Sequence, residues 1–126
     1  MELKEYFENT RGHGVLATAD DSGKVDAAIY SRPHFMEDGT IAFIMADRLT
    51  HANLQKNPNA VYLFIESGEG YTGKRLYLRK TSEIQDDDLV AQICRRCNYT
   101  MYGNDLTRYV VFFSIDKELP LVGSGS

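Results

Sequence analysis

Apolar positions recur at two spacings along this chain. Leu3, Tyr6 and Phe7 sit at i, i+3 and i+4, one face of a helix, and predict a short amphipathic helix stopped by Gly12 and Gly14. Residues 15–19 (VLATA) are apolar and β-prone, Asp20-Asp21-Ser22-Gly23 is a turn, and residues 25–36 form a second strand, so the two make a hairpin. After a turn at Glu37-Asp38-Gly39, residues 40–45 (TIAFIM) are a nearly continuous apolar run, the pattern of a strand buried on both faces. Residues 50–56 read as a short helix with Thr50 as N-cap, ended by Asn57-Pro58. Residues 60–66 (AVYLFIE) are a strand and 67–73 a glycine-bearing loop. Residues 74–84 alternate, with Leu76, Leu78 and Lys80 on one face and Tyr77, Arg79 and Thr81 on the wetter one. Asp86, Asp87 and Asp88 open a helix that carries Leu89, Val90, Ile93 and Cys94 on one side. Residues 98–105 form a polar, aromatic loop, and 107–115 (TRYVVFFSI) the last strand, followed by an apolar segment able to dock.

The tally is mainly β, about six strands with about three short helices, and hairpin connections suit a small antiparallel barrel, which also removes exposed edges. The chain has 126 residues, the size of one domain; residues 1–122 are expected to form it, with 123–126 a flexible tail. Net charge is −4, which argues against a general nucleic-acid binder while leaving room for a small phosphorylated ligand. No run approaches the roughly 18 apolar residues of a membrane span, and the acidic start is not a secretory leader, so a cytoplasmic protein with no membrane partner is the expectation.

The chemistry is concentrated in residues 27–58. Two paired strands lead into a short loop with Asp47 and Arg48, and the loop opens directly into a helix. A helix N-terminus presents unpaired N–H groups and partial positive charge, so it can receive an anion. Thr50 adds a hydroxyl, and Arg48 and Arg32 add guanidinium groups suited to phosphate. No Ser-His-Asp order or paired carboxylates stand out as catalytic, and no ligand set of metal-site spacing is present. The Cys94–Cys97 CxxC ends a helix rather than opening one, which favours ordinary core or boundary cysteines over the alternative of a redox or metal role.

The order of these pieces, a strand, a DG turn, an apolar strand, a polar loop, a helix ending NLxxNP and then AVYLFIE, resembles the pyridoxamine 5′-phosphate oxidase-related FMN-binding split-barrel family, in its branch of small flavoproteins and nitroimidazole-resistance-like proteins. The resemblance runs from the N-terminal helix to the ELPLVG ending. It implies a six-stranded antiparallel split β-barrel and a homodimer with the cofactor FMN at its interface. Carried over by position, Ile29, Tyr30, Ser31 and Arg32 would lie along the flavin ring, and Ile44, Met45 and Ala46 beside the ring and ribityl chain. Arg48, Leu49 and Thr50 would hold the phosphate with Asn53 nearby, and Lys74 or Arg75 would supply a polar contact near the ring. Where the oxidases carry an SRK-like phosphate triplet, this chain has Arg48-Leu49-Thr50 and no lysine, and it is also shorter than they are; vitamin B6 oxidation is therefore not the expected activity.

Flavin chemistry needs an apolar slot, a polar edge and cations for phosphate, and requires no catalytic side chain. Tyr71, Tyr99, Tyr102 and Tyr109 are candidates to cover the ring, and His34 and His51 to influence protonation near it. The expected function is an oxidoreductase passing electrons from a reduced nicotinamide or a protein donor to a small acceptor. The alternatives are a non-catalytic FMN electron carrier and a barrel-shaped binding module without flavin.

Overall fold

A computed structural model describes residues 2–93 and 108–123. In chain order these form helix α1 (Leu3–Asn9), strands β1 (Gly12–Ala19), β2 (Val25–Tyr30), β3 (His34–Phe35) and β4 (Ile41–Ala46), helix α2 (Leu49–Lys56), strands β5 (Asn59–Glu66) and β6 (Gly73–Ile84), helix α3 (Asp87–Ile93) and strand β7 (Arg108–Pro120). All neighbouring strands are antiparallel, in one seven-stranded sheet of order β2-β1-β5-β6-β7-β4-β3.

The sheet is curled, and the connection from β2 to β3 shows why it must be. Tyr30 ends one sheet edge and His34 begins the other. Four residues reach at most about 14 Å, whereas a flat sheet of this strand count would separate its edges by roughly 29 Å. The mainly β, antiparallel barrel architecture expected from sequence is therefore present, with seven strands in place of six. Residues 25–36, expected as one strand, are two, because Pro33 cannot donate to a ladder. β3 leaves β1 and pairs with β4 instead, His34 opposite Ala42 and Phe35 opposite Ile41.

The interior is aromatic: Phe7, Phe43, Tyr62, Phe64 and Phe113 are each at most 2% exposed. Helix α1 closes one mouth, where Phe7 packs edge-on against Phe64 with ring centroids 5.0 Å apart. Helix α2 crosses the other mouth, with Leu54 in the core and the Asn53 amide donating to the Thr18 hydroxyl at 3.1 Å. Helix α3 lies on the outside of β4 and β7, covering Ala42 and Val110 with Val90. That cover is the reason the apolar run of β4 is buried on both faces. An Asp86 carboxylate accepts from the Leu89 N–H at 3.1 Å and caps α3, as its acidic start implies. No helix among the described residues is long and apolar enough to cross a membrane.

Two further expectations are corrected. Gly12 and Gly14 do not stop α1, which ends at Asn9; both belong to β1. They are glycines because neighbours sit where a side chain would be. A Cβ on Gly14 would overlap the Tyr62 hydroxyl and ring, with Cε1 only 2.6 Å away. Tyr62 in turn reaches over β1, and its hydroxyl is shared between the carbonyls of Ser31 at 3.1 Å and Tyr30 at 3.2 Å, where the chain leaves β2. The segment after residue 115, expected merely to dock, continues β7 as far as Pro120, paired with the first residues of β6.

Candidate functional site

The first turn of α2 is the candidate anion-receiving element. Only Asp47 and Arg48 separate it from β4, and the Arg48 N–H bonds back to the Ala46 carbonyl at 2.9 Å, so the chain turns sharply out of the sheet into the helix. So tight a connection places Arg48, not Thr50, at the N-cap, with extended φ −133 and ψ −166 and no side-chain capping bond. The capping role expected of Thr50 is therefore not present; Thr50 is the second residue of the helix. The N–H groups of Leu49, Thr50 and His51 lack intrahelical acceptors by the geometry of any α-helix start. Arg48 and Leu49 are exposed, and Leu49 stands 58% open. Thr50 is only 4% exposed, yet its hydroxyl forms no hydrogen bond to any described residue. A buried polar group normally has a partner, so an orphaned hydroxyl beside free N–H donors fits a bound anionic oxygen.

Behind this turn lies a polar cluster. His51, 6% exposed, stacks on Tyr109 with centroids 3.8 Å apart and planes 12° from parallel. Its Nε2 lies 2.8 Å from Glu83 Oε2 on β6, and its Nδ1 lies 3.6 Å from the Asp47 carboxylate. Gln55 donates to Glu83 Oε1 at 2.7 Å, and Lys80 pairs with the same oxygen. Burial pushes the Glu83 carboxyl up, but the bonds from Lys80, Gln55 and His51 outweigh it and hold the group down at about 2.

The sequence-predicted residues divide between the two ends of the barrel. Ile44, Met45, Ala46, Arg48, Leu49, Thr50 and Asn53 gather at the α2 end. Met45 points into the core at 1% exposure, so only its main chain is available to a ligand, while Ile44 packs toward α3. Ile29, Tyr30, Ser31, Arg32, Lys74 and Arg75 lie toward the α1 end. Along β2, Ile29 is four residues from Val25 at the α2 end, roughly 13 Å. Lys74 is nine residues along β6 from the Glu83 that meets His51, roughly 30 Å of strand.

At the α1 end the cations are engaged within the protein. One Arg32 nitrogen donates to the carbonyls of Phe7 at 2.8 Å and Thr10 at 3.0 Å, tying down the end of α1. Lys74 pairs with Glu118 at 3.2 Å and sits 4.8 Å from the Tyr6 ring centre. Arg75 donates to the carbonyls of Pro120 and Gly123. The register places Ile29, Val15, Leu63 and Arg75 in one row across the outer face of β2, β1, β5 and β6. That row is apolar at one end and cationic at the other. Ile29 is 73% exposed on it and Val25, two same-face positions back along β2, 78%. A groove of about 390 Å³ on the same face is lined by Ala17, Ala19, Val25, Val61 and Tyr77.

Tyr71 is exposed, and one face of Tyr109 is taken by His51. Tyr99, Tyr102 and the Cys94–Cys97 pair lie outside the described residues. Sequence reasoning missed the structural parts of the site, Tyr62, Gly14 and Glu83. Only the AVYLFIE tyrosine on an inward-facing position hinted at the first of these.

No protein-family model matches the chain, and no match was found among curated proteins. Solved structures do match over nearly the whole chain. An FMN-binding protein from Syntrophomonas wolfei subsp. wolfei superposes with TM-score 0.76 at 21% identity, over 95% of this chain and 84% of that one. An F420 reductase gives TM-score 0.71 at 14% identity, over 94% and 97%. HutZ, a heme storage protein from Vibrio cholerae, gives TM-score 0.67 at 16% identity, over 98% and 96%. Candidate pyridoxamine 5′-phosphate oxidases are among the matching structures as well. At these identities the likeness establishes the fold, and the fold is the split barrel that FMN-binding and pyridoxamine 5′-phosphate oxidase-like proteins share.

Proposed function

We propose that this protein binds FMN as a homodimer and passes electrons from a reduced nicotinamide or a protein donor to a small acceptor. The observation that carries the reading is the buried Thr50 hydroxyl in the first turn of α2, without a hydrogen-bond partner among the described residues, with Arg48 exposed beside it. Those groups suit the phosphate. FMN would supply hydride and single-electron chemistry, and this chain's residues would bind, orient and shield it. Arg48 and the first-turn N–H groups would fix the phosphate, the outward main chain at Met45 and Ala46 would line the ribityl path, and Ile29 would offer apolar surface to the ring.

The division of the candidate residues between two ends of the barrel supports the dimer. An exposed apolar face running from Val25 through Ile29 to Leu63 leaves a planar aromatic ligand open on one side in a single copy. A second copy laid on that face would cover it and exclude water.

The first experiment is the visible spectrum of freshly purified protein, followed by heat release and identification of any chromophore. Flavin bands with about one FMN released per chain support the proposal. A porphyrin spectrum would place the protein functionally beside HutZ instead, and colourless protein that takes up no added FMN would refute flavin binding. Turnover with a reduced nicotinamide and an acceptor separates an enzyme from an electron carrier.

A further inference from the structure

An anion site made of backbone N–H groups works only if the helix turn that carries them is held in one orientation. In α2 this turn is anchored by a side chain of its own third residue. The His51 ring lies flat on Tyr109 of β7, its Nε2–H donates to the Glu83 carboxylate of β6 at 2.8 Å, and its Nδ1 faces Asp47 at the start of the turn. Glu83 is fixed on its other oxygen by Gln55 and Lys80. One imidazole therefore ties the start of α2 to two strands, while its own backbone N–H belongs to the anion-receiving set.

We propose that His51 is the positioning residue of the phosphate cradle, acting through Glu83 and Tyr109 rather than by touching the ligand. The proposal rests on the FMN reading above. It assigns a second job to residues that the flavin chemistry does not use: His51 holds the N–H groups of Leu49 and Thr50, and the Thr50 hydroxyl, in register with one another. Its signature is selective. Loss of the anchor weakens the grip on phosphate and leaves the grip on the ring unchanged.

The test uses flavin-stripped full-length protein titrated with FMN and with riboflavin, which has the same ring and no phosphate. His51→Asn is too short to reach Glu83, and His51→Gln is long enough to donate to it; both keep a polar amide at a buried polar position. FMN affinity should fall about tenfold in His51→Asn, equivalent to ~1.4 kcal/mol, and recover to within about threefold of wild type in His51→Gln. Riboflavin affinity should stay within about twofold in both. Equal losses for FMN and riboflavin, or an unchanged FMN affinity in His51→Asn, would overturn the proposal. Wild-type protein that binds both flavins equally would also overturn it, while leaving flavin binding standing. Wild-type protein that binds neither would overturn the FMN reading itself.

Discussion

Replacing Gly14 with alanine adds one methyl group to a strand, a change that would ordinarily stabilise it by about 0.5–1 kcal/mol through the unfolded chain. Here the sign should reverse. The new Cβ would fall on Tyr62, which is fully buried and packed against Phe43 at 5.0 Å and Phe7 at 6.2 Å. The ring cannot retreat without displacing those aromatics, an overpacking cost of roughly 1–3 kcal/mol. It also cannot turn without giving up the hydroxyl bond shared by the Tyr30 and Ser31 carbonyls, worth about 1 kcal/mol. A net loss of roughly 1–3 kcal/mol is expected, a substantial fraction of the stability of a domain this size. The chain has no tryptophan, so urea unfolding is followed by circular dichroism. A double-mutant cycle identifies the cause. In a Tyr62→Leu background, the cost of Gly14→Ala should fall below about 1 kcal/mol, because the atoms it overlaps are gone. A Gly14→Ala protein within about 0.5 kcal/mol of wild type, or the same cost in both backgrounds, would refute the assignment of Tyr62 as the residue that requires glycine here.

Thr50→Val keeps the buried shape and removes a hydroxyl with no partner among the described residues, so stability should change by less than about 0.5 kcal/mol while FMN binding weakens by roughly 1.5–3 kcal/mol; calorimetric titration showing unchanged affinity would put the phosphate elsewhere. Glu83 titrates near 2 when folded against an ordinary 4.5, so the stability it contributes is complete above pH 4.5 and drains away as pH falls toward 2. Glu83→Gln should flatten that acid limb of the melting temperature, by the equivalent of about 1–2 kcal/mol after solvent screening, and an unaltered limb would mean that the cluster around His51 is not what holds this carboxylate. Ile29→Lys sets a charge in the exposed apolar face of β2; light scattering should report a dimer for wild type and a monomer for the variant at micromolar concentration, and a monomeric wild type would rule out the homodimer.

Local signals in the chain were enough for most of the elements. The i, i+3, i+4 pattern of Leu3, Tyr6 and Phe7, the alternation around Leu76 and Leu78 and the aspartates before Leu89 each act within a few residues, and each gave the element found. The barrel class also followed, because short strands joined by hairpins have few other ways to bury their faces. So did the direct run of β4 into α2, since a strand, a two-residue loop and a helix start are all local features.

What the chain could not declare was anything that depends on residues distant in sequence. The move of β3 to the far edge of the sheet is decided by curling, and no local signal near Pro33 encodes its partner Ala42. Whether Gly14 ends a helix or makes room for a ring depends on Tyr62, which lies 48 positions later and faces it only across the β1–β5 pair. Arg32, Lys74 and Arg75 look alike as free cations in the sequence, yet the fold directs them to carbonyls of α1, to Glu118 and to the carbonyls of the C-terminal segment. His51 and Glu83 are 32 residues apart and meet only because α2 crosses the barrel mouth at the end of β6. Periodicity and capping are short-range physics and can be read along one segment, whereas the partner of a buried polar group is set by the packing of the whole sheet.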